Sequence, residues 1–387
     1  MTDEVVDLLV IGGGPAGLSA VRAYREAGGK GRAVLVSADP DAPYDRPPLS
    51  KDFLRGDQPE DEMGLLDDGE LSRLEVTWAS DRVTSVDTGR KHVGTRDGSG
   101  YTYRHCVFAT GSNPADLPVP GGDDSALLRL RTLEDGRRLK AAVAGAKTVA
   151  VIGSGFIGCE AASSLRRLGL DVVQVTNEFS PQENRLGAEA GARIAGWLAE
   201  DGVRLVTGAT VTALDRDENG VSIRLDGQDD VRADVVLLAV GVRPATELAA
   251  EAGLAVHEGR IVVDAHMRTS AEGVLAAGDV VYALNNAAAR QLSVEHWFDA
   301  ETMGRIAGQT AAGVEDATWS DPPGFWSQIG DRWLKYAAWG DGYVEALYEE
   351  GEGDAFTVWY QDGDGTCVGV LTYLADENYD KAFRLLS

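Results

Sequence analysis

The stretch PYDRPPLSK, residues 43–51, sets Arg46 and Lys51 in a loop stiffened by three prolines. Proline lowers the entropy a loop can lose, so such a loop can hold fixed cations against a partner that carries or develops negative charge. The bland alternative is a solvated basic turn. Glycines carry a second kind of chemistry. Gly12, Gly14 and Gly17 stand in GGGPAG around Pro15 and Ala16, and Gly153, Gly155 and Gly158 stand in GSGFIG around Phe156 and Ile157. At this spacing the first glycine permits a tight turn, the second lets backbone approach a pyrophosphate, and the third packs helix on strand. The helix start then offers unpaired N–H groups and the positive end of its dipole to phosphate.

Such turns work only between a strand and a helix, and both have that setting. VVDLLVI precedes the first turn, an alanine-rich helix leaves it, and AVLVS follows. KTVAVI, a helix through SSLRRLG and the strand DVVQVT frame the second. Two complete units in one chain predict an α/β fold with two Rossmann-like dinucleotide-binding domains. The stretches VRLVTGATVTALD, VSIRLDG, ADVVLLAVGVRP and RIVVDAHMRTSAEGVLAAGDVVYA alternate like strands. From about Asp316 the texture changes: Trp319, Trp326, Trp333, Trp339 and Trp359 crowd a short segment with FTVWY, CVGVLTYL and a terminal helix. A C-terminal α+β domain is predicted there.

The chain has 387 residues, 44% of them hydrophobic, enough for two or three domains. Its net charge of −26 repels nucleic acid and anionic membrane surfaces alike. No run of 18 apolar residues offers a membrane span, and the acidic N-terminus is unlike a signal peptide. Cys106, Cys159 and Cys367 fit no metal or disulfide spacing, so a reducing cytoplasmic setting is expected and no metal site.

In order along the chain, GGGPAG, PYDRPPLSK, ATGSNP, GSGFIGCE, GVRP, TSAEGVLAAGD and VEHW make the sequence resemble the FAD-dependent NAD(P)H:ferredoxin reductases of the putidaredoxin and rhodocoxin reductase type, within the glutathione-reductase-like fold. The likeness runs to about Gly308 and thins to PGFWS beyond Asp316. It implies an FAD domain in two parts (1–112 and 242–315), an inserted NAD(P) domain (113–241) and a C-terminal domain (316–387). Hydride would pass from NAD(P)H to FAD, and single electrons from FAD to an iron–sulfur ferredoxin serving an oxygenase such as a cytochrome P450. A homodimer is compatible with the family.

The resemblance also assigns roles. Gly12, Gly14, Pro15, Ala16 and Gly17 would cradle the FAD pyrophosphate, and Asp39, beside Ala38, would take the ribose. Ala109, Thr110 and Gly111 mark the crossing out of the FAD domain and Gly241 lies in the matching GVRP. Arg131 would contact FAD, Asp279 the ribityl chain, and Val83, Glu295, His296, Trp297 and Trp326 the flavin surroundings. Arg46 would bind phosphate or anchor its loop. Lys51 would reach the flavin N5 edge and pair with Glu160 of the nicotinamide domain. Gly153, Gly155, Phe156, Ile157 and Gly158 would hold NAD(P)H. No cysteine lies between Met1 and Tyr101, which excludes the dithiol relay that disulfide reductases place in this loop.

Departures from the pattern matter for specificity. The acid that NADH-dependent members place at the end of DVVQVT is Thr176 here, followed by Asn177 and Glu178. Glu178 can substitute from further on; otherwise Arg185 would meet a 2′-phosphate. NADH is the expected donor by family habit. FWSQIGD replaces the usual FWSDQ, and Asp299 a common Asn, which opens two alternatives. One is an NAD(P)H oxidase or substrate-acting flavoprotein; the other is a redox-responsive protein like apoptosis-inducing factor. Arg129, Arg131, Arg137, Arg138 and Lys140 are a candidate basic patch for an acidic ferredoxin.

Overall fold

The computed structural model describes residues 4–340 and 342–386. Strand Glu4–Ile11 is fully apolar at Leu8, Leu9 and Val10 because it runs through the middle of a parallel sheet covered on both faces. Its neighbours are Ala33–Ser37 and then Val76–Ser80 on one side, and Gly100–Phe108 on the other. Val274–Ala276 joins the far edge of Gly100–Phe108 in parallel register, so segments on either side of the second glycine unit share this sheet.

A second parallel sheet has the order Arg204–Val206, Asp171–Val175, Thr148–Ile152, Val235–Leu238. The chain passes between the two sheets through Ser112–Pro114 and returns through Val242–Pro244, and these segments pair antiparallel. From Gly324 to Tyr373 five strands form an antiparallel sheet, covered by the helix Asp376–Leu386. Trp319, fully buried, packs into the first core rather than facing a ligand.

One helix contact fixes the later geometry. The helix Trp297–Ala311 lies on the first glycine-turn helix, Pro15–Glu26, through Gly304 and Gly308. A Cβ on either would come within 2.1 Å of the Ala16 or Ala20 carbonyl oxygen. Glycine permits this approach and so pins the start of Trp297–Ala311 beside the first glycine turn. Among the described residues no helix is long and apolar enough to cross a membrane.

Candidate functional site

The two glycine turns show the same division of labour. Gly12 has φ +117° and a Cβ there would strike the Ala109 carbonyl oxygen at 2.1 Å; a Cβ on Gly17 would strike the Gly12 oxygen at 1.9 Å. In the second turn Gly153, at φ +107°, would meet the Ala239 oxygen at 2.2 Å, and Gly158 the Gly153 oxygen at 2.4 Å. The middle glycines are different. Gly155 has no atom within 4 Å of a built Cβ, and Gly14 has only the Arg46 guanidinium, at 3.8 Å. Packing explains the outer glycines, whereas the middle ones leave room for a ligand. Both helices that follow begin without a side-chain cap or an acidic first turn. Their first N–H groups face that room, a fit for pyrophosphate.

Both turns open on one cleft of about 1360 Å³. Its walls include Arg46, Lys51, Val83, Ala109, Thr110, Gly111, Arg131, Gly241, Asp279, Glu295, Trp297 and Trp326. Gly153 faces an adjoining cleft of about 860 Å³, which shares Gly155, Gly241, Glu295 and His296 with the first. Gly17 and Gly158 line neither, consistent with their packing contacts.

At the centre is a buried ion pair. Pro47–Ser50 forms a short 3₁₀ turn, Asp52–Arg55 a short helix, and Lys51 sits at the kink between them. Its ammonium donates to Glu160 Oε2 at 2.7 Å and to the Pro47 carbonyl at 2.9 Å, and lies 5.2 Å from the Trp326 ring centroid. Each partner is only 5% exposed. Glu160 also accepts from Ser50 Oγ (2.6 Å), Ser327 Oγ (2.7 Å) and the Gln328 N–H (3.3 Å). One carboxylate thus joins the proline loop, the helix Phe156–Arg167 and the C-terminal sheet.

Asp279 anchors the opposite wall. It accepts from Ser112 Oγ at 2.6 Å and Arg131 at 2.7 Å, while Arg131 Nε also donates to the Ser112 carbonyl. Burial alone would raise its pKa; Arg131, the Ser112 hydroxyl and Arg46 outweigh that and hold the carboxyl below the usual range. Burial and the repulsion of Arg131 lower Arg46 in turn, a cation placed where a bound anion would compensate it. Thr110 Oγ1 donates to the Ala245 carbonyl, tying the outgoing crossing to the returning one. Asp39 accepts from the Tyr44 hydroxyl at 2.8 Å at the cleft edge. Glu295 pairs with Arg260. The His296 Nδ1 lies 3.0 Å from the buried carboxylate of Asp299, and its ring packs on Phe325.

At the nucleotide end of the second cleft, Thr176 shares a 2.7 Å hydrogen bond with Ser154 of the glycine turn. Glu178 Oε2 accepts from Ser154 Oγ at 3.0 Å and the Gln182 N–H at 2.9 Å. Arg185 is exposed and lines both clefts. Three cations of the candidate basic patch have acidic partners, while Arg138 is exposed and donates to the Ser125 carbonyl. Arg137 is bound to Asp41, Glu60 and Glu134, Arg129 to Asp116, and Arg131 to Asp279, while Lys140 donates to the Phe53 carbonyl. Sequence proximity of the cations did not reveal these partners. Ser50, Ser112 and Ser327 were also missed, although each adjoins a residue singled out in PPLSK, ATGS or FWS.

A fold with two dinucleotide turns facing one cleft is that of an oxidoreductase working with a pair of nucleotide cofactors. Residues 6–304 match the pyridine nucleotide-disulphide oxidoreductase family, and the chain belongs to it. The chlorobenzene dioxygenase ferredoxin reductase component of Cupriavidus sp. (strain PS12) is 31% identical over 97% of this chain and 91% of its own. The ferredoxin reductase for the CYP199A2 system of Rhodopseudomonas palustris superposes with a TM-score of 0.91 at 27% identity, covering 98% of this chain and 94% of that one. Putidaredoxin reductase, in its covalent complex with putidaredoxin, also gives 0.91, at 26% identity and with 98% and 93% covered. The family implies FAD and NAD(P)H as cofactors. None of the three cysteines lies in the proline loop: Cys106 and Cys159 are buried elsewhere, Cys367 is half-buried, and burial pushes the Cys159 thiol up to about 12.

Proposed function

We propose that this protein is an FAD-dependent NAD(P)H:ferredoxin reductase that supplies electrons to an iron–sulfur protein serving an oxygenase, in a cytoplasmic setting. The observation that carries the proposal is the buried Lys51–Glu160 pair, set between two nucleotide cradles where a thiol relay would otherwise stand. The relatives' names point to the same acceptor class. In this reading residues 1–112 and 242–315 bind FAD, 113–241 bind NAD(P)H, and 316–387 cover the flavin.

The Gly12–Gly17 turn, Arg46 and Asp39 would hold the pyrophosphate and ribose of FAD, and Asp279 its polyol chain. Held by these residues, FAD would supply two-electron hydride acceptance and one-electron release. Lys51 provides a fixed positive charge in a water-poor cleft, where it stabilises developing negative charge far more than in solvent. Glu160 keeps that ammonium oriented, and Ser50 and Ser327 keep Glu160 oriented. Phe156 and Ile157 would form the floor beneath the nicotinamide. Glu178, drawn against Ser154 of the second turn, supports NADH as the preferred donor.

Purified protein should show flavin bands near ~450 nm that NADH bleaches. Cytochrome c reduction should rise sharply on adding a [2Fe–2S] ferredoxin. E178Q should raise the KM for NADH by ~10-fold and leave that for NADPH nearly unchanged, the loss of one charge-assisted hydrogen bond. Oxygen consumption independent of ferredoxin would favour the oxidase alternative. Slow reoxidation with a long-lived charge-transfer band would favour the redox-responsive one. A colourless protein would end the proposal.

A further inference from the structure

The mechanism above leaves one proton unassigned. A hydride carries two electrons and one proton, so NADH plus two oxidised one-electron carriers yields NAD⁺, two reduced carriers and one H⁺. That proton has to leave the cleft, and a side chain on its wall can relay it to solvent. Several titratable side chains on the cleft walls are already committed, and Glu301, half-buried on the same wall, is the competing acceptor. Lys51 and Glu160 are paired with each other, Asp279 is held by Arg131 and Ser112, and Glu295 is bound to Arg260.

His296 is different. It is the residue before the helix Trp297–Ala311 and lines both clefts. Its Nδ1 is 3.0 Å from Asp299 Oδ2, which also accepts the Gly324 N–H at 3.2 Å. Asp299 is only 1% exposed and is fixed from two sides. Burial raises the pKa of the Asp299 carboxyl, while His296 and the Gly324 N–H act to keep it ionised. An ionised carboxylate only accepts, so with a neutral ring the Nδ1 proton points toward Asp299 and the lone pair lies on Nε2. Among the described residues Nε2 has no hydrogen-bond partner, and it is absent from the buried unpaired atoms, so it meets the cleft. Asp321 and Tyr379 are the other titratable groups acting on Asp299, and Glu295 with Arg260 adjoins His296.

We propose that His296 and Asp299 form a proton-accepting dyad of the cofactor cleft, His296 taking the released proton on Nε2 and Asp299 acting as its positioning residue. An Nε2–H bond forms as the proton arrives, and the imidazolium, stabilised through Nδ1–H by Asp299, passes the proton to solvent. The dyad ends each cycle as it began, and no further oxidant or reductant is required. The proposal rests on the oxidoreductase reading, and its test separates the two.

The experiment uses FAD-loaded protein labelled with ¹⁵N-histidine, with H296Q assigning the resonance among the chain's five histidines. His296 should show Nδ1 protonated and Nε2 as acceptor, and D299N should abolish that fixed tautomer. With saturating NADH and ferricyanide, H296A should turn over ~100-fold more slowly. Added imidazole, but not equal ionic strength of sodium chloride, should restore most of the rate. If NADH fails to bleach the wild-type flavin, the oxidoreductase reading is wrong. If bleaching is normal but H296A turns over like wild type, the dyad is wrong. A mixed tautomer in wild type, or a loss in E301Q (the half-buried carboxyl on the same cleft wall) with none in H296A, overturns it as well.

Discussion

Replacing Lys51 by Met deletes the ammonium and keeps an unbranched apolar stem of similar reach. Glu160 then stays buried without its counterion, and removing one partner of a buried pair costs ~3–5 kcal/mol. Three donors remain on Glu160, namely Ser50, Ser327 and the Gln328 N–H, which places the expected loss at the lower end, ~3 kcal/mol. With ~2–4 °C of melting midpoint per kcal/mol, K51M should melt ~6–12 °C below wild type. E160Q should also destabilise, because the Lys51 ammonium retains only the Pro47 carbonyl and the Trp326 face. The double variant should melt above the sum of the two losses, by a coupling of ~1.5 kcal/mol or more, since the two groups share one interaction. Differential scanning fluorimetry of FAD-loaded protein measures this, and stopped-flow bleaching by NADH should slow ~100-fold in K51M. Strictly additive midpoints, or a K51M midpoint within ~1 °C of wild type, would refute the reasoning.

Two further outcomes follow from the same geometry. Gly12→Ala forces a Cβ onto the Ala109 carbonyl and should give protein lacking FAD, whereas Gly155→Ala meets no protein atom and should keep the wild-type melting midpoint but raise the KM for NADH ~10-fold; the FAD-to-protein ratio and steady-state kinetics check both. Asp279 has a folded pKa below its unfolded value, so its stabilisation is full above about pH 3.9 and is lost as pH falls through the lower folded value. D279N should therefore melt well below wild type at pH 7, and calorimetry should show the gap narrowing toward ~pH 3.

Sequence reasoning located the two glycine turns because glycine spacing is a local signal tied to one backbone conformation. It also placed Lys51 and Glu160 on the right elements, since both sit a fixed number of residues from recognisable turns. The acidic neighbours of the basic patch were not legible for the complementary reason. Arg137 finds Asp41 and Glu60, the latter 77 positions away, and nothing in the local order of charges announces those partners. Ser327 was overlooked on similar grounds: it lies 167 residues from the carboxylate it steadies, and a lone serine in a strand looks like any other.

The sequence by itself determined the two dinucleotide turns, the absence of a thiol pair from the proline loop and the change of texture near Asp316, because each depends on residues adjacent in the chain. The Lys51–Glu160 pair was expected from the resemblance, but only the tertiary structure decided that Ser50 and Ser327 share that carboxylate, that Glu178 reaches Ser154, and that His296 stands against a buried carboxylate. Those are contacts between separate elements, fixed by sheet order and by the glycine-mediated approach of Trp297–Ala311 to Pro15–Glu26. The strength of a charge pair depends on the distance and on the water excluded around it, and both are properties of the folded packing.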